Sequence, residues 1–534
     1  MGTFGKGVSS RDDGYASSSG SLSQGGNGQS DYLDHEIAQL TKLRSQPHEF
    51  LSRTAPGKLR LPVSTVKMLV GREVNYSGRG RFSAADSCHV LSRYLPVNGP
   101  WKVDGMNSRV YTSHFSNDGS FFVAASQESN IKIYNVDKNW KIQKDIETKA
   151  LRWTITDTSL SPDQRFLVYA SICAIVNIVD VGSSTRESLA NVTEIHEGLD
   201  FSADGDEDEF GIFSVKFSTD GQELVAAGSD NFIYVYDLQA NKCSLRIPAH
   251  KSDVNTVCFA DETGHLIFSG SDDSLCKVWD RRCFISKGRA NGVLMGHLEG
   301  ITFIDSRRDG RYFISNGKDQ TTKLWDIRKM SSNTTEKRTR TMSLVYVLFK
   351  FGGVISWENL QEVPGDNHFM VVIKCSLYYV KIQNNESLFL CPSSNSRLRD
   401  YDWDYRWMEY PSYARRLKHP HDQSLATYKG HSVLRTLIRC YFSPEYSTAQ
   451  KYIYTGSSDN SVYIYDLVSG AQVAKLDFHN APVRDCCWHP IYPMLISSSW
   501  DCNIVRWEIP GIGEAPLPKR RTVRARRFFG RALR

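Results

Sequence analysis

Four histidines are each followed by an aspartate that stands six residues before a closing aromatic residue. They are His250, His297, His431 and His479, with Asp273, Asp319, Asp459 and Asp501 ahead of Trp279, Trp325, Tyr465 and Trp507. A carboxylate that orients an imidazole can serve a general-base catalyst. It can equally be a buried hydrogen-bonded tie between strands, completed by a hydroxyl and the tryptophan N–H. The pairs recur in step with a repeated strand unit, so they read as ties rather than as metal ligands or catalytic bases. His419 and His421, with Asp422 alone, make a poor metal site. The twelve cysteines stand singly apart from adjacent Cys486 and Cys487, and none forms a CxxC pair. Cys258 and Cys276 sit in apolar runs, as reduced core cysteines do in a reducing compartment. Neither a nucleophile elbow nor a phosphate-binding loop is present, so an enzyme is not expected, and neither a metal nor a cofactor.

A second kind of chemistry belongs to two arginines. Trp279-Asp280-Arg281-Arg282 and Trp325-Asp326-Ile327-Arg328 both read Trp-Asp-x-Arg, whereas other copies of the unit read Asp237-Leu-Gln, Asp466-Leu-Val and Glu508-Ile-Pro. In an extended chain residues i and i+2 share a face, so Asp280 projects with Arg282 and Asp326 with Arg328. Each guanidinium can then make paired bonds to a partner's acceptors. A third candidate is the basic cluster Lys519, Arg520, Arg521, Arg524, Arg526 and Arg527, of the kind that import receptors or nucleic acids recognise. Residues 519–534 hold eight Lys or Arg and no acid, so the net charge of +6 falls to 6 − 8 = −2 without them. The body of the chain is nearly neutral, and a broad nucleic-acid-binding surface is not indicated. The acidic run Asp204 to Glu209 reads as a solvated loop or a contact for a basic partner.

The elements that must hold these residues repeat. In Val215 to Asp237 a strand ends in an Asp-Gly turn, a second ends at Gly-Ser-Asp, and a third ends in an aromatic residue followed by Asp. The unit closes at Tyr134-Asn135, Val179-Asp180, Tyr236-Asp237, Trp279-Asp280, Trp325-Asp326, Tyr465-Asp466 and Trp507-Glu508, seven copies with one overlong gap. Copy 1 has Glu128 and copy 2 has Cys173 in place of the aspartate, and copy 7 has Arg506 where an apolar residue is usual. Strand-like sequence stops at Pro510, so copy 7 lacks its outer strand; the segment at Trp101-Lys-Val-Asp supplies one and closes a ring.

Residues 1–30 are Gly- and Ser-rich and cannot bury enough surface to offset their chain entropy, so they are expected to be disordered. Residues 31–97 are expected to carry short helices: Ile37, Leu40 and Leu43 fall at helical spacing, and Ser83-Ala-Ala-Asp86 resembles a capping box. The propeller is assigned to 98–510 and the basic tail to 511–534. The start lacks the apolar core of a signal peptide, and Lys6 spoils a myristoylation motif. The apolar window Leu344 to Trp357 is short and holds Lys350, so no membrane association is expected.

Gly-His … Trp-Asp units in this number resemble the WD40 family, which implies an all-β, seven-bladed β-propeller that binds other proteins. The tandem Trp-Asp-x-Arg copies resemble the DWD box of cullin-4-associated substrate receptors. That resemblance implies that Trp279, Asp280, Arg282, Trp325, Asp326 and Arg328 dock on the damaged-DNA-binding adaptor of the ligase. The stretches Tyr76 to Asp86, Trp403 to Pro411 and Tyr428 to Arg439 are similar to WD repeat-containing protein 23 and its plant counterparts. Against those relatives, about 335–396 reads as an insertion of the kind a retained intron produces. A genuine extra blade is the alternative, although no Asp-six-aromatic closure occurs there. The insertion is expected between the third strand of blade 5 and a fourth at Ala426 to Tyr428, on the same rim as Arg282 and Arg328.

The function expected is therefore a non-catalytic substrate receptor of a cullin-4 ubiquitin ligase in nucleus and cytoplasm, recruiting a protein substrate that the sequence does not name. The alternative is a WD40 scaffold subunit of a chromatin or RNA-processing complex. The need for Arg282 and Arg328 in adaptor association separates the two.

Overall fold

The computed structural model describes residues 95–509, except 128–129, 149–152, 182–195, 203–209, 284–288, 413, 420 and most of 332–402, where only four short strands are described. The expected N-terminal disorder and helices, Glu128, the acidic run and the basic tail lie outside the described residues.

The repeats fold into seven four-stranded antiparallel sheets. Their innermost strands are Val110–Phe115, Ile155–Leu160, Ile212–Phe217, Val254–Phe259, Ile301–Ser306, Cys440–Phe442 and Val483–Trp488. Each lies beside the next, and the seventh returns to the first, so the ring closes. Blade 7 begins at Val483–Trp488, continues through Leu495–Ser499 and Asn503–Glu508, and takes its outermost strand from Asn98–Gly105. In that closing pair Trp101 stands opposite Arg506 and Lys102 opposite Val505.

Turn chemistry sets the period. At Ser218-Thr-Asp220-Gly221 the Asp220 carboxylate accepts from the Ser218 hydroxyl and the Gln222 N–H, while Gly221 takes φ +72°, which a side chain would resist. Ser116-Asn-Asp118-Gly119 repeats the arrangement, with Gly119 at φ +82°.

The core is divided among the seams between blades. Val225, Ala227, Ile233 and Val235 of blade 3 pack on Val254, Val257, Ile267 and Trp279 of blade 4. Phe268, Cys276 and Val278 of blade 4 meet Ile301, Ile304, Phe313 and Trp325 of blade 5. The middle strands alternate one seam and the other, so both faces of each sheet are apolar and buried.

A charged cluster crosses the axis. Arg439, just before blade 6, reaches Asp157 of blade 2 at 2.9 Å and Asp485 of blade 7 at 3.3 Å. Lys216 of blade 3 adds a 2.9 Å contact to Asp157. Burial alone would raise the Asp157 carboxyl, but the charges of Arg439 and Lys216 outweigh it and hold the group well below the usual carboxylate range.

Between Thr321–Asp326 and Ala426–Lys429, the third and fourth strands of blade 5, the chain makes its long excursion. Gln361–Glu362, Val371–Cys375, Tyr378–Ile382 and Leu388–Pro392 form an eighth antiparallel sheet within it. Blades 5 and 6 pack directly on each other through their innermost strands, so this sheet is not a blade of the ring.

Candidate protein-interaction site

Each blade runs up and down, so all third strands end on one face of the ring, here the exit face. On blade 4 the third strand Cys276–Asp280 stops at the motif aspartate and the chain enters a 3-10 turn, Arg281–Cys283. On blade 5, Thr321–Asp326 gives way to the turn Ile327–Lys329, capped by Asp326. This corrects the extended-chain picture of Trp-Asp-x-Arg: strand geometry ends at the aspartate, because its carboxylate captures the N–H two residues on, at 3.0 Å in both blades. The turn then folds each arginine back onto its own aspartate. Arg282 Nε and Nη2 donate to the two Asp280 oxygens at 2.9 and 2.8 Å, and Arg328 Nη2 to Asp326 at 3.2 Å.

The two aspartates differ. Asp326 is fully buried and also receives Arg311 Nη2 at 2.9 Å, whereas the hydrogen bonds and charge of Arg282 hold the more open Asp280 below the usual carboxylate range. Both outer guanidiniums stay open to solvent, 64% exposed at Arg282 and 54% at Arg328. Arg281 does the opposite and ties blade 4 to Glu223 of blade 3. Trp279 and Trp325 are buried, so at the exit face they act by fixing strand position. Sequence reasoning missed Arg311, which sits in the turn between the first two strands and belongs to no motif.

Behind each exit stands the His–Asp chemistry. In blade 5 the Trp325 indole N–H donates to Ser315 Oγ at 2.7 Å, and that hydroxyl lies 2.7 Å from His297 Nε2. His297 Nδ1 lies 3.1 Å from Asp319. Hydrogen bonds running one way assign the proton to Nδ1. Burial would raise the Asp319 carboxyl, but the His297 interaction outweighs it and holds the group at about 2. Blade 4 repeats the chain through Trp279, Ser269, His250 and Asp273, and blade 7 through Trp507, Ser497, His479 and Asp501.

Blade 6 departs from it, a correction to the fourth pair. His431 does not bond Asp459. Its Nδ1 lies 3.1 Å from the Tyr465 hydroxyl and its Nε2 3.0 Å from Asn316 of blade 5. Tyrosine in place of tryptophan carries its own hydroxyl to the imidazole, so both ring nitrogens are engaged. Asp459 instead accepts from Tyr463 at 2.6 Å and pairs with Lys475 at 3.1 Å.

The excursion leaves blade 5 near Arg328 and comes back beside it: Gln423 Nε2 donates to the Lys329 carbonyl at 3.0 Å and to Ser331 Oγ at 2.6 Å, just before the fourth strand begins at Ala426. Ser331 is bridged to Val293 on the outer strand of blade 4 by bonds of 2.9 and 2.8 Å. On the way back Tyr405 accepts from the Arg435 N–H at 2.8 Å, and its ring lies 4.1 Å from Lys318 Nζ. Lys318 belongs to the second-to-third turn of blade 5 and Arg435 to the connection into blade 6, both on the face opposite the exits. The excursion therefore reaches the opposite face at Trp403 to Pro411 before it returns to the exit face. His419 and His421 touch each other, His421 N–H donating to His419 Nδ1 at 3.1 Å. Among the described residues no group of three His, Cys, Asp or Glu converges as a metal set. No described helix is long and apolar enough to cross a membrane.

A closed ring of seven four-stranded blades, with Trp-Asp closures tied by His–Ser–Trp chains, defines a WD40 propeller. The family model "WD domain, G-beta repeat" matches residues 101–135, 199–237, 241–280, 288–326, 422–466 and 470–508. Blade 2, with Cys173 in its turn, falls outside those matches but is built like the rest. The LEC14B homolog of Prunus armeniaca is 66% identical over 98% of each chain, and the LEC14B protein of Lithospermum erythrorhizon 61% identical over 91% of this chain and 90% of that one. A Caenorhabditis elegans protein described as a DDB1- and CUL4-associated factor 11 homolog is 32% identical over 83% of this chain and 68% of its own length. The chain belongs to the WD40-repeat family, in the group that holds the LEC14B proteins and the factor 11 homologs.

Proposed function

We propose that the protein is a substrate receptor of a cullin-4 ubiquitin ligase, docking on its DDB1 adaptor through the exit face of blades 4 and 5 and bringing a second protein to the ligase for ubiquitination. The observation that carries it is the pair of consecutive third strands ending in Trp-Asp-x-Arg, each with a guanidinium held by its own aspartate yet more than half exposed. A guanidinium so held loses little further freedom when a partner's carboxylate or carbonyl covers it. The description of the nematode relative as DDB1- and CUL4-associated supports the same assignment. The role is one of recruitment, without bond chemistry of its own.

Exposed pairs of this kind add little to folding. Their removal should therefore spare the propeller and act on the partner, where stripping one side of a buried charge pair costs about 2–5 kcal/mol. Arg282→Ala with Arg328→Ala should abolish co-purification with DDB1 while thermal unfolding stays at the wild-type temperature. Undiminished capture by a folded double variant would overturn the docking assignment and favour a scaffold of another complex.

A further inference from the structure

The strand directions that send Arg282 and Arg328 to the exit face send the starts of the innermost strands, the connections between blades and the second-to-third turns to the other. There, where blades 7, 1 and 2 meet, rings and guanidiniums gather. Tyr111, second residue of blade 1, has its ring centroid 5.7 Å from Trp500 in the second-to-third turn of blade 7. It lies 6.4 Å, edge-on, from Trp153 in the connection to blade 2. The Arg109 guanidinium lies 4.7 Å from the Trp500 ring, and Arg484 lies 4.9 Å from the Tyr111 ring.

Three features of this cluster go unused by the propeller. Trp153 is 66% exposed and held at φ +71°, a conformation that bulky residues rarely adopt. The indole N–H of Trp500 is buried without an acceptor among the described residues. Arg109 is exposed, and among the described residues no carboxylate pairs with it. Beneath them Arg484 donates to Thr436 and to the Tyr111 carbonyl. Burial and the neighbouring Arg439 charge pull Arg484 down to about 10, and an anion placed above it would offset the Arg439 repulsion.

We propose that Arg109, Tyr111, Trp153, Arg484 and Trp500 form a recognition site for an acidic peptide segment of a partner protein. An aliphatic or aromatic side chain of the peptide lies against Trp153, and its carboxylates meet Arg109. Charge complementarity selects this occupant. The patch is cationic, whereas Asp253, Asp272 and Glu299 stand toward the blade 4 and 5 side of the same face. There burial and the neighbouring carboxylates push Asp253 up from its ordinary range and Glu299 to about 7. Asp272 is paired with Lys318 at 2.7 Å, so the unpaired charge of this face lies on the side of Arg109 and suits a short acidic segment. The site deepens the receptor assignment by naming what is recruited, and it stands on separate residues.

The test is an array of short synthetic peptides carrying Glu, phosphoserine, Gln or Lys beside a Leu or Tyr, probed with the full-length chain, with a labelled single-stranded oligonucleotide in parallel. The anionic peptides should be held about tenfold more tightly than the Gln peptides. The Glu and phosphoserine arms tell a carboxylate source from a phosphate one. Arg109→Glu and Trp153→Ala should each lose about that factor, with thermal unfolding and DDB1 capture unchanged, and Arg282→Ala with Arg328→Ala should hold the peptides normally. Equal retention of Gln or Lys peptides, no retention of any peptide, wild-type binding by both top-face variants, or retention of the oligonucleotide alone would overturn the proposal. Loss of DDB1 capture would bear on the receptor assignment only.

Discussion

Ser315→Ala removes one oxygen from the middle of a fully buried chain. That hydroxyl accepts from Trp325 Nε1 at 2.7 Å and lies 2.7 Å from His297 Nε2, and all three side chains are at most 1% exposed. An alanine leaves an indole N–H and an imidazole nitrogen unpaired where water cannot reach, at about 1–3 kcal/mol each. The expected loss is about 2–5 kcal/mol, a large share of the 5–15 kcal/mol that holds a typical domain together. The natural control is Asp459→Asn in blade 6. Its carboxylate touches no histidine, an amide oxygen keeps the bond from Tyr463, and the open Lys475 pair that is lost adds little, so the cost should stay below about 1 kcal/mol. Thermal and urea unfolding of both variants beside the wild type measure the difference. Trp325 adjoins Asp326, so Ser315→Ala should also weaken DDB1 capture at temperatures where the blade is still folded. Equal destabilisation by the two variants would refute the claim that blades 5 and 6 are tied by different chemistry.

Removing residues 335–396 should raise DDB1 affinity several-fold, because the excursion leaves the ring three residues after Arg328; matched titrations in which the intact chain binds equally well or better would refute this. His431 is buried between Tyr465 and Asn316, and burial lowers it from 6.5 to about 4. The unfolded chain thus takes up this proton before the folded one does, so stability is complete above pH 6.5 and declines as pH falls toward 4. Between pH 7 and 5 the loss is about 2 kcal/mol, and His431→Gln should remove that part of the pH dependence from urea midpoints. A fluorescent fusion truncated after Leu517 should lose nuclear enrichment, since the truncation deletes Lys519 through Arg527; an unchanged distribution would leave the basic cluster without that role.

The blades were legible because their signals are local. Asp-Gly turns and aromatic-Asp closures recur at the blade period, and the missing outer strand of blade 7 could be sought in the residues before blade 1. Side-chain pairing was less legible. The His-to-Asp spacing is the same in four blades, but spacing locates backbones, and in blade 6 the reach of Tyr465 redirects the imidazole. The shared face of Asp280 and Arg282 assumed a continuing strand, which the capping strength of aspartate ends. The axial cluster of Arg439, Asp157 and Asp485 follows no repeat, and Asp157 lies 282 residues from Arg439, so nothing in the pattern announces it. The same holds for Tyr111 with Trp500, which meet only because the ring closes.

That closure also has a schedule. The strand Asn98–Gly105 finds its partner in Asn503–Glu508, which is synthesised about 400 residues later. At 5–20 residues per second the ribosome takes roughly 20–80 s to deliver it. Throughout that interval the N-terminal strand presents an unpaired edge while blades 1 to 6 assemble behind it, and blade 7 has two seams to make at once when it emerges. The nascent chain is thus an open arc with two adhesive ends, exposed to chaperones, to proteases and to neighbouring nascent chains on the same message. The exit-face arginines of blades 4 and 5 leave the ribosome well before the ring locks, so quality control can act on a molecule whose two Trp-Asp-x-Arg turns are already present but whose ring is still open.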